Sequence, residues 1–229
     1  MANAITLRKT YSTLLDEVYK LSSLTAVLDG PNELVREGAN ANEILIPKMT
    51  MSGLADYSRQ TGYVAGDVTL EYETKKCTYD RGRMFTVDAM DNIETAGIAF
   101  GRLSGEFLRT QVVPELDAWR LASYAGYAPS GNTVAGAIAD GKAGIAAIRA
   151  GRTAIKNAEA KPETCYLFIS MNLKGMIDDL DTIASKKVME GWAGVIEVPN
   201  GRFFDKVTLT AGGKGGFTTT GGKAIDFLI

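Results

Sequence analysis

Apolar residues are spaced most regularly between Asn92 and Ala125, and this spacing predicts one long helix. They recur at steps of three and four along one side of that helix: Ile93, Ala96, Phe100, Leu103 and Phe107. Arg102, Glu106 and Arg109 fall on the opposite side, where charged residues one turn apart can form ion pairs. The segment therefore has one face for a core and one face for water.

The residues at the two ends of this segment also favour a helix. Asp91 and Glu94 have the spacing of a capping box, which satisfies two backbone N–H groups at the start. Gly126 follows the last periodic residue, where a left-handed residue commonly ends a helix. Pro114 lies inside the pattern and predicts a kink there.

Three glycines follow each other at a spacing of four within the long helix: Gly97, Gly101 and Gly105. Each glycine costs a helix interior roughly 0.8–1 kcal/mol relative to alanine. A membrane-spanning helix is excluded, because Arg102, Glu106 and Arg109 interrupt the apolar run. We interpret the glycines as a flat strip against which another backbone packs closely.

Before the helix, the pattern predicts an N-terminal arm and an extended hairpin. Residues 1–40 form a helical or extended segment, either packed on the chain's own core or reaching a neighbouring molecule. Glu43–Thr50 is a strand candidate in which Pro47 favours an edge position. Residues 51–67 form a mobile, glycine-containing connection, and Val68–Asp88 predicts two further strands that are too polar on both faces for a core.

After the helix, shorter helices and strands alternate. Residues 133–160 predict one or two helices, and 172–183 predict another. Short strands are predicted at Cys165–Ser170, Val195–Val198, Val207–Thr210 and Ala224–Ile229. Together with the hairpin, these elements predict an α+β protein.

Composition narrows the classes of function. The net charge is −2, from 25 basic and 27 acidic residues, so no general polyanion-binding surface is indicated. The chain contains no histidine, which excludes Ser-His-Asp and Cys-His catalysis and lowers the expectation of an enzyme. Cys77 and Cys165 fit neither a disulfide framework nor a zinc site. The N-terminus lacks the apolar segment of a signal peptide, and no 18-residue window is apolar throughout.

Two segments carry a resemblance to a known family. DRGRMFTVDAMDNIET, which is Asp80–Thr95, and the later GRLSGEFLRTQVVPELDAWRLA resemble major capsid proteins of tailed bacteriophages with the Hong Kong 97 type fold. VIEVPNGRFF and KAIDFLI are similar to late strand segments of the same proteins. The resemblance extends from about residue 5 to the end and is densest over 78–125.

The resemblance implies an order of parts along the chain. These are an N-terminal arm (1–41), a β-hairpin E-loop (42–90), the spine helix of a peripheral domain (91–126), an axial domain (127–195) and returning strands (196–229). Relatives continue beyond the segment similar to AIDFLI with further strands. A truncated chain and a second polypeptide that supplies the last strands therefore both stay open.

The resemblance also implies a function. The chain would self-assemble, through hexamers and pentamers, into the icosahedral shell around a double-stranded DNA genome. It would be located in the virion, and in the host cytoplasm during assembly, with scaffold, portal and decoration proteins as further partners. Contact with DNA would be weak and non-specific. No catalytic residue, cofactor, metal or membrane is expected.

Charged residues near the end of the predicted E-loop are candidates for contacts between subunits: Lys75, Lys76, Asp80, Arg81, Arg83 and Asp88. Simple surface pairing is the alternative for the arginines. Some members of the family join an E-loop lysine to an asparagine of a neighbour, for which Lys48, Lys75 and Lys76 are the candidates here. Solvated lysines that protect a strand edge are the alternative interpretation.

Other chemistry is weaker in the sequence. The glycine-rich segment 211–223 departs from the phosphate-binding P-loop pattern, because Phe217 and Ala224 stand where Gly and Ser or Thr are required. Asp178, Asp179 and Asp181 are typical either of a cation site or of a solvated helix end. The alternative functions are an encapsulin-like cargo compartment and, in another class, a lysine- or carboxylate-dependent enzyme with a hairpin lid.

Overall fold

The structure is a computed structural model that describes residues 23–30, 36–37, 43–60, 62–86, 98–128, 131–133, 136, 138–212 and 216–229. The chain divides into two compact units. We call Asp29–Thr86 the hairpin unit, and Met1–Leu28 together with Val87–Ile229 the body. The parts predicted as spine helix, axial domain and returning strands all lie in the body.

The hairpin unit contains one antiparallel sheet. Its strands are β1 (Arg36–Glu37), β2 (Glu43–Met51) and β3 (Val68–Lys76), in the order β1-β2-β3. Among the described residues, β1 pairs with Ile44 and Leu45, and Pro47 pairs with Tyr72 of β3.

The prediction of two strands within Val68–Asp88 is wrong over the described residues. Val68–Lys76 is a strand, and it pairs with the earlier strand Glu43–Met51 over the full length of both. Cys77–Thr86 has no helix or strand. The Asp80-Arg81-Gly82-Arg83 turn residues are not followed by a returning strand among the described residues up to Thr86.

The predicted long helix is present in the body and continues over Ile98–Tyr127. It consists of α1 (Ile98–Phe107), a π-helical turn (Leu108–Val112) and α2 (Val113–Tyr127). Proline lacks an N–H group and crowds the preceding turn, so the predicted irregularity at Pro114 takes the form of this wider turn. Gly126 is not the predicted left-handed residue: the helix passes through it and ends at Tyr127, where Ala128 is extended. The capping residues Asp91 and Glu94 lie outside the described residues.

Three more α-helices and five strands of the described residues complete the body. They are α3 (Gly141–Asn157), β4 (Tyr166–Ser170), α4 (Met171–Asp178), α5 (Ile183–Met189), β5 (Gly194–Val198), β6 (Thr208–Leu209), β7 (Phe217–Thr218) and β8 (Phe227–Leu228). Side-chain caps start three of the helices. Asp140 accepts a hydrogen bond from Ala143 N at 2.7 Å, Ser170 from Leu173 N at 3.2 Å, and Thr182 from Ser185 N at 3.1 Å.

One three-stranded sheet separates two cores in the body. Its order is β5-β4-β8, with β4 parallel to β5 and antiparallel to β8. Alternate residues of β4 point to opposite faces. Leu167 and Ile169 pack with α3, α4 and α5, whereas Phe168 packs with Leu121 of the spine helix and with Phe203. The chain is therefore a mixed helix-and-sheet protein, as the α+β class predicts.

The start of the described body packs on this second core. Leu24 contacts the cluster of Leu121, Phe168 and Phe203, and Thr25 is fully buried. Leu24 and Thr25 belong to the predicted arm (1–41), so this part of the arm packs on the chain's own core, whereas residues 1–22 lie outside the described part. No helix of the described residues is both long and apolar enough to span a membrane.

Candidate interaction surface

The register of the hairpin sorts its side chains by polarity. Residues paired across an antiparallel ladder lie on the same face. Pro47 pairs with Tyr72, Met49 with Leu70 and Met51 with Val68, which gathers apolar residues on one face. We call this the apolar face, defined by Pro47, Met49, Met51, Val68, Leu70 and Tyr72. The sequence analysis described these strands as too polar on both faces for a core, whereas the register shows that one face is apolar between Pro47 and Met51 and between Val68 and Tyr72.

This apolar face is exposed. The relative exposure is 57% for Met49, 69% for Met51, 67% for Val68 and 53% for Leu70. No described side chain of the hairpin unit is buried. Isolated two-stranded hairpins are marginally stable in water, and soluble monomers rarely expose contiguous apolar patches of this kind.

The opposite face of the hairpin carries paired charged residues together with Ile44 and Ile46. Lys48 lies opposite Glu71, and Thr50 lies opposite Thr69. Lys75 Nζ lies 2.5 Å from Glu73 Oε1 on the same face. The hydrogen bond and the charge of Lys75 hold the pKa of Glu73 below its ordinary value of 4.5. We call this the polar face; it carries Lys48, Thr50, Thr69, Glu71, Glu73 and Lys75, and also Ile44 and Ile46 opposite the last two.

The connection between β2 and β3 is closed by hydrogen bonds, although the sequence indicated a mobile segment. At its base, Ser52 N donates to Asp67 O at 2.9 Å, and Asp67 N donates to Ser52 Oγ at 3.0 Å. Further out, Gly62 N donates to Ser58 O at 2.8 Å. The rings of Tyr57 and Tyr63 meet beside this bridge with centroids 5.0 Å apart. The apolar face thus ends in a loop of defined shape.

The two lysines predicted to contact neighbouring subunits lie at the base of the hairpin. Lys75 belongs to the polar face and pairs with Glu73. Lys76 lies opposite Glu43 in the ladder, with its Nζ 3.8 Å from Glu43 Oε1. Both lysines are highly exposed, so their ion pairs add little to stability.

The other charged candidates lie after β3. Asp80, Arg81 and Arg83 are exposed in the irregular segment Cys77–Thr86. Arg81 has an interaction within the chain. Asp88 lies outside the described residues. The structure thus places this group on a surface without assigning it a partner molecule.

The spine-helix glycines are described only in part. Gly97 lies outside the described residues, and Gly101 is helical, but its surroundings are not described. A Cβ atom added at Gly105 would meet no described atom within 4 Å. Close packing against Gly105 is therefore absent among the described residues of one chain. The ion pairing predicted on the charged side of the spine helix is confirmed for Glu106 and Arg109. Arg109 Nη2 lies 2.8 Å from Glu106 Oε1.

A buried carboxylate that the sequence did not single out anchors the start of the described body. Asp117 of the spine helix is fully buried. Its Oδ1 accepts hydrogen bonds from Ser23 Oγ at 2.6 Å and Thr25 Oγ1 at 2.7 Å, and its Oδ2 accepts one from Leu24 N at 3.0 Å. Arg202 Nη1 lies 3.8 Å from the same carboxylate. The carboxylate thus holds Ser23–Thr25 against the spine helix.

The alternative sites of the sequence analysis have ordinary surroundings. Asp178 pairs with Lys174, and Asp181 Oδ1 lies 2.8 Å from Lys186 Nζ. Within the described ranges, no group of three or more carboxylates or cysteines converges in a metal-binding arrangement. The glycine-rich segment 211–223 begins after β6 and includes β7, which pairs with β6, and its residues 213–215 lie outside the described part.

Two features were missed because both depend on pairing between distant residues. The alternation of Val68, Leu70 and Tyr72 was visible in the sequence, but Met49 and Met51 complete the face only through the register. Asp117 looks like a solvated helix residue until Ser23–Thr25 is placed beside it. In comparisons with known proteins, no protein-family model, curated protein or solved structure matches the chain.

Proposed function

We propose that this chain is a structural subunit that assembles with copies of itself. Its specific form is the major capsid protein of a tailed bacteriophage, with the Hong Kong 97 type fold and a shell enclosing double-stranded DNA. The support comes from the resemblance over 78–125 and from the exposed apolar face of the hairpin unit. In this proposal the subunit performs no catalysis; its function is to assemble into the particle.

The observation that carries the proposal is the distribution of buried residues between the two units. The body has two cores with fully buried side chains, whereas no described side chain of the hairpin unit is buried. Ordering a residue costs about 1–2 kcal/mol of backbone entropy, which burial normally offsets. A nine-residue strand pair without burial gains this offset from another molecule. In a shell, copies of the same chain supply it.

The charge of the chain fits the proposed relation to DNA. A net charge of −2 provides no general attraction to a polyanion. Any contact with the genome is then local, weak and sensitive to salt, since charges are screened within ~10 Å at 0.1 M ionic strength. The shell encloses the DNA without reading its sequence.

The experiment that tests the proposal is electron microscopy of the purified chain, with sedimentation velocity over a range of protein and salt concentrations. We expect closed shells of uniform diameter in equilibrium with small oligomers. A chain that stays monomeric under all these conditions contradicts the proposal. Particles isolated from the native source that contain cargo protein and no DNA would favour the encapsulin-like alternative.

A further inference from the structure

Helix α3 (Gly141–Asn157) is basic along its whole length. It carries Lys142, Arg149, Arg152 and Lys156, and it has no acidic residue. The chain as a whole has a net charge of −2, so this helix is a local exception to a slightly acidic composition. A local surface of this kind attracts polyanions even when the whole protein does not.

Three of these cations form a row on the side of α3 that faces water. Lys142, Arg149 and Lys156 are exposed and follow each other at a spacing of seven residues. Seven residues make nearly two helical turns, so each side chain is displaced by only about 20° around the axis from the one before. At ~1.5 Å per residue, the three positions span about 21 Å. We call them the basic row.

The charges of the basic row are not used within the chain. Among the described residues, none of its three members forms an ion pair. Arg152 differs, because its guanidinium donates to Lys187 O at 3.4 Å and to Gly191 O at 3.3 Å and lies 5.3 Å from the ring centre of Trp192. Arg152 thus holds the end of α5 and the residues after it, whereas the basic row is available to another molecule.

The buried side of α3 shows that a membrane is not the partner. Basic helices that bind anionic membranes insert their apolar side chains among the lipids. In α3 those side chains, Ile145 and Ile148, are buried in a core with Leu173 and Ile177 of α4. Gly144 also faces this core, since an added Cβ atom would lie 2.6 Å from Leu173 Cδ1. The apolar side of the helix is therefore unavailable to lipid.

The residues around the basic row favour duplex nucleic acid over a protein or a single strand. The other exposed residues of α3 are small or polar: Ala143, Ala146, Ala150, Thr153, Ala154 and Asn157. Protein partners are commonly anchored by aromatic residues, and single strands by aromatic rings on which the bases stack. No residue of α3 is aromatic. The small side chains also let a broad, rigid partner approach all three cations at once.

The dimensions of the basic row fit the charge distribution of double-stranded DNA. The duplex carries one phosphate charge per about 1.7 Å of its axis, so a row about 21 Å long passes many of them. Each flexible cationic side chain therefore finds a phosphate oxygen within reach, whatever the base sequence. The folded helix also presents its cations without the entropy cost of ordering a flexible tail.

We propose that the basic row of α3 binds the phosphate backbone of double-stranded DNA without reading its sequence. The inference rests on the proposed function, which supplies the enclosed DNA, and it adds the surface that contacts this DNA. In the shell, the exposed side of α3 is then turned towards the genome.

Titration of unassembled subunits with DNA tests the inference. Chain labelled with ¹⁵N, kept below the concentration at which particles form, is titrated with a mixed-sequence duplex of about 16 base pairs, roughly 50 Å long. We expect the NMR shifts to be concentrated in the amide groups of α3. Three phosphate contacts give a slope of about −2.7 in log K against log salt, so binding should weaken about 40-fold between about 50 and 200 mM salt.

Matched double variants show whether the charges of α3 carry the binding. Lys142→Gln/Lys156→Gln removes two charges of the basic row, and Lys206→Gln/Lys223→Gln removes two from exposed positions of the body outside α3. We expect the first to weaken binding about tenfold or more at about 50 mM salt and to reduce the slope to about −0.9, and the second to change binding by less than about twofold. Lys142→Arg/Lys156→Arg keeps both charges and should bind as the wild type does. All these side chains are exposed, so the variants are expected to keep the wild-type melting temperature.

Three results of the titration would overturn the inference. If Lys206→Gln/Lys223→Gln weakens binding as much as Lys142→Gln/Lys156→Gln, the attraction is diffuse and the basic row is not the site. If polyglutamate shifts the α3 amide groups more strongly than the duplex does at the same salt, the occupant is an acidic protein segment. If single-stranded DNA does so, the occupant is a single strand.

Electron microscopy of the wild-type chain tests the proposed function separately. If shells form and the duplex leaves α3 unshifted, the proposed function stands and the inference is wrong. If the duplex binds α3 and no shells form under any condition, the DNA contact stands and the proposed function fails.

Discussion

Replacing Asp117 by asparagine tests how the body holds its N-terminal segment. The carboxylate accepts hydrogen bonds with both oxygens and is fully buried. Asparagine keeps the shape but has one oxygen and one NH2 group. If its oxygen faces the hydroxyls of Ser23 and Thr25, its NH2 group faces the N–H of Leu24, and two donors oppose each other.

The size of the effect follows from these contacts. Hydrogen bonds to a charged group contribute about 1.5–3 kcal/mol each, against about 0.5–1.5 kcal/mol for neutral ones. The two hydroxyl bonds therefore weaken by roughly 1 kcal/mol each, and the unsatisfied N–H costs about 1–3 kcal/mol. In the other direction, the neutral side chain avoids the desolvation of a buried charge, which costs several kcal/mol. The losses sum to about 3–5 kcal/mol, and the recovered desolvation offsets most of them, so we expect a net loss of about 1–2 kcal/mol in the free energy of unfolding.

The assay is urea unfolding of unassembled subunits, monitored by tryptophan fluorescence. Trp119 and Trp192 both lie in the body, so the signal reports the unit that contains Asp117. Asp179→Asn is the matched control, since it removes the same charge from an exposed position. Its effect is expected to stay within about 0.5 kcal/mol.

Two results would refute the reasoning about Asp117. An effect as small as that of the control means that the hydrogen bonds contribute no more than water would supply. A gain in stability means that the desolvation of the charge outweighs the bonds. Limited proteolysis gives a second measurement. We expect cleavage near residues 23–28 to accelerate in Asp117→Asn, because the segment is held by this side chain.

Three further predictions concern other positions. Gly141→Ala should cost about 1–3 kcal/mol in urea unfolding, because its Cβ would overlap the carbonyl oxygen of Met176, whereas Gly175→Ala, which faces open space, should not destabilise. Gly105→Ala should raise the stability of unassembled subunits by roughly 0.5–1 kcal/mol, and a loss would show that something packs against it within one chain. The pKa of Glu73, measured by NMR, should lie below 4.5 because of Lys75. Its ion pair is therefore present above pH 4.5 and is lost as the pH falls through the lowered pKa. A titration midpoint at 4.5 contradicts the pairing.

The long helix could be predicted from the sequence because its signal is local. Apolar residues at steps of three and four need only neighbouring residues to form a face, and the observed helix includes most of the predicted one. Its end was misplaced because Gly126 permits a left-handed conformation without requiring it. The strand at Tyr166–Ser170 was predictable for a similar reason, since four of its five residues are buried and form a continuous run.

The candidate surface could be predicted only in part, because it depends on which strands pair. The sequence predicted a second strand after β3, within residues 77–88. In the structure, β3 pairs with Glu43–Met51, which precedes it in the chain. Methionine is flexible and is a weak indicator of a strand face, so Met49 and Met51 carried little signal by themselves. The Asp117 anchor joins residues more than 90 positions apart, and no local pattern records such a contact.

The division of burial between the units links the stability of the hairpin to association. The body has cores that do not depend on another molecule, so its free energy of unfolding is expected to be independent of protein concentration. The hairpin unit has paired strands and no buried described side chain, so its opening free energy contains a term for binding to a copy. That term grows with the logarithm of the free subunit concentration relative to the dissociation constant. Amide exchange in β2 and β3 should therefore slow as concentration rises, whereas exchange in β4 should not. A hairpin whose exchange is slow and independent of concentration would be stable by itself, and its apolar face would need no second copy.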